Sequence, residues 1–393
     1  MNETLRSQLN RFQIAGLVIG LIGLCLCALG AFTDPAQFFP SYLFGCLFWL
    51  GLALGCFGVA IIHYLTGGRW GNPTRRFLEA GYLTLPLMAL LFVPIFFGLK
   101  HLYPWARPAA VAADKVLQNK VAYLNAPGFI GRMIFYFLVW TVLGWRLRKW
   151  SLEQDRTSDV TPTRRMRVLS GAGIIIYPLT VTFAYIDWVM SLEADWYSTA
   201  FGVIICAGQV LTAFVFITIL LAWFKNYEPI SQATTLTTFH HLGNLILAFV
   251  VFWTYVSFGQ FLIIWAGNLP QEIVWYRHRS GGDWQWIIVF LAVFHFFFPF
   301  SLLLFRASKR HIKALVTLAA IVFVAHIVDL FWLISPSFHP TGIRVSWLDF
   351  AALLGVGGVW VAMFIAVLKR EPLLAQNDPR LLYTAHQTVA HGK

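Results

Sequence analysis

Long apolar stretches separated by short polar segments dominate the hydropathy pattern of this chain. Each stretch approaches or exceeds the ~20 residues that an α-helix needs to cross a bilayer. The predicted spans are residues 13–32, 41–65, 79–99, 128–146, 168–192, 198–224, 240–267, 284–306, 311–334 and 346–369. The pattern therefore predicts an all-α integral membrane protein with about ten transmembrane helices.

Composition favours a single membrane domain over residues 1–393. Hydrophobic residues make up 59% of the chain and charged residues only 12%, against about 25% charged in a soluble protein. The loops at 100–127 and 147–167 are too short to fold alone. The first apolar run, 14–32, is longer than a typical signal-peptide core, so we expect a helix that is retained. Residues 371–393 form a polar tail.

Basic residues are distributed unevenly between the two sets of loops. With both termini placed inside, 21 of the 29 Lys and Arg residues fall on the inner side. This bias matches the positive-inside rule and predicts cytoplasmic termini and a cytoplasmic tail. The same rule explains the net charge of +12, so no nucleic-acid partner is expected.

Cysteine and histidine spacing argues against a metal or haem held by this chain. The five cysteines lie in apolar spans and form no CxxC or CxxCH motif. His63, His295 and His326 stand alone and His240 and His241 are adjacent, whereas a bis-histidine haem needs paired imidazoles on facing helices. We therefore expect no metal site and no covalently bound cofactor.

Ionisable residues inside the spans are the most informative feature, because a charge at membrane depth costs roughly 2.5 kcal/mol or more. Near the predicted outer side lie Asp187, Glu193, Asp195, Glu272, Asp329 and Asp349; near the inner side lie His63, Glu79, His240 and His241. His295 lies near mid-membrane. Two polar layers joined by a histidine suggest a proton route. Interhelical hydrogen bonding, or a lipid or ion site, remains the alternative.

Helical spacing groups some of these side chains. Asp187 and Ser191 are four residues apart and share a face, and His326 and Asp329 are three apart and can touch. On the seventh span a polar residue recurs every third position, which forms one polar stripe along the helix. That stripe consists of Thr254, Ser257 and Gln260.

Two outer turns carry further polar residues. After the fifth span, Ser198 is a candidate N-cap for the sixth span. After the seventh span, Pro270 and Glu272 predict a short interfacial helix with proline at its first position. Arg277 and Arg279 oppose the charge bias, so we expect them to pair with Glu193, Asp195 or Glu272, or with a partner protein.

Several longer segments carry a family resemblance. They are DWVMSLEADWYSTAFG (187–202), HHLGNLILAFVVFWTYVSFGQFLIIWAGNLPQEIVWYRHR (240–279), FPFSLLLFR (298–306) and HIVDLFW (326–332). These segments resemble the second quinone-binding-type membrane subunit of alternative complex III, a bacterial quinol:cytochrome c oxidoreductase. The subunit belongs to the NrfD-like, polysulfide-reductase-type group, and the resemblance covers most of residues 60–370.

The resemblance implies a ten-helix subunit with two four-helix bundles flanked by outer helices, in the bacterial inner membrane. It implies a second NrfD-like membrane subunit, an iron–sulfur subunit, and multihaem and monohaem cytochrome c subunits as partners, beside lipids; a terminal oxidase is a further candidate. Quinone or menaquinone would be the ligand, with haem and iron–sulfur clusters in the partners. Because the chain offers no redox centre, partners must accept the electrons.

The resulting site hypothesis has three parts. Outer proton transfer or contact with the quinol headgroup is assigned to Asp187, His326, Asp329 and Glu272. The proton path is assigned to His63, His240, His241, His295, Asp349, Ser191 and Gln260. Partner contacts are assigned to Arg277, Arg279, Glu193 and Asp195. Where the family pattern often has a carboxylate, this chain has His241, which weakens the case for proton entry there.

Two other functions stay open at this stage. A purely structural membrane anchor would tolerate changes at the ionisable residues. A secondary transporter is the third hypothesis, but that class typically places polar residues and broken helices near the midplane. Here the polar residues favour the two faces.

Overall fold

The computed structural model describes residues 3–157 and 159–377, and this part of the chain is 84% helical with no β-strand. The predicted all-α membrane fold is therefore confirmed. Of the predicted tail, residues 378–393 lie outside the described residues.

Within the described residues, ten helices are long and apolar enough to cross a membrane. They are α1 (Glu3–Thr33), α2 (Pro35–Thr66), α3 (Gly71–Phe97), α4 (Ala126–Arg156), α5 (Thr161–Glu193), α6 (Phe201–Phe224), α7 (Leu236–Gly267), α8 (Trp284–Leu304), α9 (Ile312–Ser337) and α10 (Trp347–Leu368). Short helices in the connections are Leu99–Leu102, Pro104–Ala106, Pro108–Ala113, Lys115–Lys120, Ile230–Ala233, Pro270–Ser280 and Arg306–Arg310. We call the side that holds the start of α1 the N-terminal face, and the other side the opposite face.

Helices α2 and α6 pack against each other at the centre and are the most buried spans. Helix α2 also contacts α3 and α5, and α6 contacts α7 and α9, while α4 and α8 complete the two groups. The result is two four-helix groups, α2–α5 and α6–α9, with α1 and α10 packed outside them. This arrangement matches the one that the resemblance implied.

Helix α1 is held on α10 by small residues. Its buried positions include Gly16, Gly20 and Gly23, and a Cβ at Gly23 would lie 2.5 Å from the Cα of Gly355 on α10. Small residues permit such close backbone approach between membrane helices. The other side of α1 is exposed apolar surface.

Helix α8 is interrupted by a π-helical segment, Ala292–Phe297, just before Pro299. Single π turns within α-helices occur frequently at functional sites. This segment contains His295, which is fully buried, so the irregular backbone coincides with an ionisable side chain.

Candidate functional site

A cavity of 870 Å³ lies in the second helix group, toward the opposite face. Its walls come from α6, α7, α8 and α9 and from the interfacial helix Pro270–Ser280, and they are mostly aromatic and aliphatic. Among the described residues, the hydroxyl, amide and charged side chains of the lining are Thr254, Tyr255, Ser257, Gln260, Tyr276, Arg277, Ser280 and Asp329. A large apolar pocket with a few convergent polar groups is typical of a small-molecule site.

The cavity has apolar lining residues at the molecular surface. Phe258 on α7 and Phe297 on α8 both line it, and each is 59% exposed. In a membrane these side chains would meet lipid, so an apolar ligand can enter from the bilayer without crossing water.

The polar stripe predicted on the seventh span faces this cavity. The hydroxyl of Thr254 donates a hydrogen bond to the main-chain carbonyl oxygen of Val250, 2.8 Å away. Gln260 accepts a hydrogen bond from Ser198 (2.6 Å) and donates one to the hydroxyl oxygen of Tyr276 (3.0 Å). The prediction that Ser198 is the N-cap of α6 is wrong, because α6 begins at Phe201 without a side-chain cap. The Ser198 oxygen accepts from the N–H of Ala200 at 3.3 Å, ahead of the helix, while its hydroxyl donates to Gln260.

Tyr276 supplies a hydrogen-bond donor at this end of the cavity. Burial raises the pKa of Tyr276 to about 12, so its hydroxyl stays protonated. Since the oxygen already accepts from Gln260, the hydroxyl hydrogen is free to donate to a ligand. The helix that carries Tyr276 begins with Pro270 and has Glu272 in its first turn, as predicted.

Asp329 and two histidines form another polar group at the cavity. Asp329 lines the cavity and is only 3% exposed, and its Oδ2 lies 3.5 Å from Nδ1 of His326. The contact expected from their three-residue spacing is thus present. His295 follows, with its ring centroid 6.0 Å from that of His326 and 4.1 Å from that of Trp253.

Several buried polar atoms in this group lack hydrogen-bond partners among the described residues. Neither ring nitrogen of His295 has one, and the same holds for Nδ1 of His326, Nε1 of Trp253 and Oγ of Ser257. An unsatisfied buried polar group costs about 1–3 kcal/mol. The group therefore needs water or a polar ligand, and a ligand with oxygen atoms would fit it.

Asp187 lies in the first helix group, outside the lining of the cavity. Its two carboxylate oxygens accept from Nε and Nη2 of Arg132 at 2.9 and 2.8 Å, and Tyr136 donates to Oδ2 at 3.0 Å. Ser191 donates to the main-chain carbonyl of Asp187 and accepts from Trp105. The sequence analysis did not identify Arg132 as the partner of Asp187. The available signal was that Arg132 is a basic residue on the predicted outer side, where few Lys and Arg residues lie.

Glu193 is the centre of a second ion pair. It accepts from Nη1 of Arg279 at 2.5 Å and from Ser337 at 2.7 Å, and it lies 2.9 Å from Nδ1 of His278. Burial lowers the pKa of Arg279, whose guanidinium stacks 3.8 Å over the ring of Trp275. Of the partners expected for Arg279, the structure shows Glu193.

The other predicted outer residues lie apart from these pairs. Arg277 is exposed and lines the cavity. Asp195 is exposed and Glu272 half-buried, and neither forms an ion pair within residues 3–157 and 159–377. These positions leave Arg277 and Asp195 free for contact with another protein.

Asp349 belongs to a capping network at the start of α10. It accepts from the backbone N–H of Ser346 at 2.7 Å and from the Ser41 hydroxyl at 2.5 Å. Gln37 connects Ser41 with His339, whose pKa is lowered by burial. The network joins α2 and α10 and does not line the 870 Å³ cavity.

At the N-terminal face, Glu79 is surrounded by basic groups. It accepts from Nη1 of Arg76 at 2.5 Å, from Nε of Arg75 at 3.1 Å and from Tyr64 at 2.7 Å, and it also pairs with Arg148. The arginines were not recognised as its partners in the sequence. Spacings of four and three residues before Glu79 were the available signal.

The remaining inner histidines occupy two separate places. His63 on α2 packs against the backbone of Gly71, where a Cβ would lie 1.9 Å from its Nδ1. His240 and His241 lie side by side near the start of α7, with ring centroids 6.2 Å apart. Neither place is part of the cavity.

No cluster of three or more His, Cys, Asp or Glu side chains that could hold a metal occurs among the described residues. The fold is that of an integral membrane protein, and the 870 Å³ cavity is its candidate small-molecule site. No protein-family model matches the chain, and no curated protein is significantly similar to it. The resemblance to the respiratory subunit therefore stays a prediction.

Proposed function

We propose that this chain is a quinone-binding membrane subunit of a quinol:cytochrome c oxidoreductase, and that the quinol headgroup binds in the 870 Å³ cavity. One observation carries the proposal: a lipid-accessible apolar cavity is lined by a buried acid in contact with a histidine, beside a second histidine without partners. An isoprenoid tail suits the apolar walls, and the two oxygens of a quinone suit the polar groups.

The chemistry of quinol oxidation matches these groups. A quinol that becomes a quinone releases two protons and two electrons. Asp329, as a carboxylate, can accept one of these protons, and a ring nitrogen of the adjacent His326 can accept the other. Tyr276 can hydrogen-bond a quinone carbonyl. The electrons pass to a redox centre of a partner subunit, for which iron–sulfur and haem proteins are the proposed candidates.

Asp329 suits the role of base better than Asp187 does. The carboxylate of Asp187 is already engaged by three hydrogen bonds, two of them from one guanidinium, so protonating it would break an ion pair. Among residues 3–157 and 159–377, the carboxylate of Asp329 pairs with a single side chain, the imidazole of His326, at 3.5 Å. We therefore assign proton transfer to Asp329 and His326, and an architectural role to Asp187.

We further propose the bacterial inner membrane as the location, with both termini cytoplasmic. The uneven distribution of Lys and Arg supports this orientation. It places the cavity near the outer side, where Arg277 and Asp195 are available to a partner that carries the electron acceptor.

A purely structural anchor is the second candidate function. The buried pairs Asp187–Arg132 and Glu193–Arg279 favour it, because they tie helices together without using the cavity. The two functions differ in what they predict for a neutral substitution at Asp329.

Equilibrium binding of a short-chain naphthoquinone to the purified complex tests the proposal, with quenching of tryptophan fluorescence as the readout. Loss of a hydrogen bond to a charged group costs about 1.5–3 kcal/mol, so Asp329→Asn should raise the Kd roughly tenfold or more. Asp187→Asn is the matched control and should leave the Kd within about twofold. Equal affinity of the wild type and Asp329→Asn would favour the anchor.

A further inference from the structure

Basic side chains gather where α7 begins and α8 ends, on the N-terminal face. His240 and His241 come from α7, and Arg306, Lys309 and Arg310 come from the short helix after α8. The two segments are in contact, because the Lys309 stem packs on Gly243 so closely that a Cβ there would lie 2.8 Å from its Cγ. We call these five residues the basic cluster.

In the part of the chain that the structure describes, no acidic side chain pairs with the basic cluster. Within residues 3–157 and 159–377, none of its members forms an ion pair with Asp or Glu. The charged groups that act on His240 are Lys309, Arg306, His241 and Arg310, all of them basic. Since like charges repel, this arrangement is unfavourable unless an anion joins it.

Two further features indicate a ligand at this place. The Nδ1 atom of His240 is buried without a hydrogen-bond partner among the described residues. Lys309 is only 7% exposed overall, so its stem is fixed while its ammonium group has no carboxylate to bind. A fixed cation and an unsatisfied ring nitrogen suit a phosphate group.

The surroundings of the basic cluster are apolar. Leu236 at the start of α7, Leu304 at the end of α8 and Phe305 beside it are 51%, 56% and 63% exposed. All three lie at helix ends, where a membrane helix passes from hydrocarbon to headgroups. Phosphate contacts beside exposed apolar side chains are the arrangement that a phospholipid requires, and free phosphate would leave the apolar part unused.

We propose that the basic cluster binds the headgroup of an anionic phospholipid, and prefers a lipid with two phosphates, such as cardiolipin, to one with a single phosphate. Basic sites at the ends of membrane helices bind such headgroups, with about 1 kcal/mol for each Lys or Arg near the surface. The acyl chains would lie along Leu304 and Phe305. This proposal does not depend on the quinone site.

Native mass spectrometry of the delipidated protein, titrated with cardiolipin, phosphatidylglycerol or phosphatidylcholine, tests the proposal. Cardiolipin should bind most tightly and phosphatidylcholine least. A contribution of about 1 kcal/mol corresponds to about fivefold in affinity. Lys309→Gln should therefore weaken cardiolipin binding about fivefold, and Arg306→Gln with Arg310→Gln about 25-fold.

A charge-matched control comes from α4 on the same face, where Arg146 and Lys149 are exposed. The double substitution Arg146→Gln with Lys149→Gln should change cardiolipin affinity less than twofold. The proposal is overturned if this control weakens binding as much as the cluster variants do, or if phosphatidylcholine binds the wild type as well as cardiolipin. Displacement of cardiolipin by millimolar inorganic phosphate would identify a free-anion site and also reject it.

Discussion

The ion pair between Asp187 and Arg132 allows a demanding test of how the first helix group is held together. Asp187 is fully buried, and its carboxylate depends on Arg132 for two of its three side-chain hydrogen bonds. Arg132→Met keeps much of the side-chain volume but removes the cation. The acid is then left with Tyr136 alone.

Removing one partner of a buried ion pair typically costs about 3–5 kcal/mol, because the other charge stays buried and uncompensated. The Arg132 side chain is 24% exposed, so solvent screening places the expected loss near the lower end, about 3 kcal/mol. Asp187→Asn should cost less, because a partly exposed guanidinium can turn to water and the amide oxygen still accepts from Tyr136.

The two single variants and their combination form a double-mutant cycle. Thermal unfolding in detergent can be monitored through loss of the monodisperse species. The unfolding temperature should be highest for the wild type, lower for Asp187→Asn and lowest for Arg132→Met. Adding Asp187→Asn to Arg132→Met should restore stability, because the unpaired carboxylate is removed. If the combined variant is less stable than Arg132→Met, the pair does not act through charge compensation and the reasoning is refuted.

Two other predictions concern the cavity and helix α1. Tyr276→Phe should raise the naphthoquinone Kd about fivefold, because one hydrogen bond of about 1 kcal/mol is lost. Since burial raises the pKa of Tyr276 to about 12, the contribution of this hydrogen bond to the Kd should not change between pH 6 and 9. An equal Kd for both proteins would place the headgroup elsewhere. Gly23→Leu should separate α1 from α10, since even a Cβ would lie 2.5 Å from Gly355. Protease accessibility of α1 should rise, while the neighbouring change Ile22→Leu, at an exposed position, should have no effect.

The helices were predictable because the length of an apolar run is a local property. Local spacing also identified the stripe of Thr254, Ser257 and Gln260 and the contact between His326 and Asp329. Each of these sets lies on one helix, where periodicity determines which side chains share a face. Such spacing does not show which residues of a neighbouring helix these side chains will contact.

The features that the sequence did not reveal depend on contacts between distant segments. Arg132 meets Asp187 across 55 positions, and the cavity is lined by residues of four long helices and of the interfacial helix. Ser198 was expected to make only a local contact as a helix cap, but its hydroxyl also donates to Gln260, 62 positions away, and α6 begins at Phe201. Tertiary contacts decided the first two outcomes and contributed to the third.

Photo-labelling of the assembled complex with an azidoquinone, followed by mapping of the labelled peptides, tests the central claim most directly. The account predicts label in the segments that line the cavity, within 251–265 of α7 and 273–280 of the interfacial helix, and competition by excess quinone. Label that is confined to the first helix group around Asp187, or to another subunit, would contradict it.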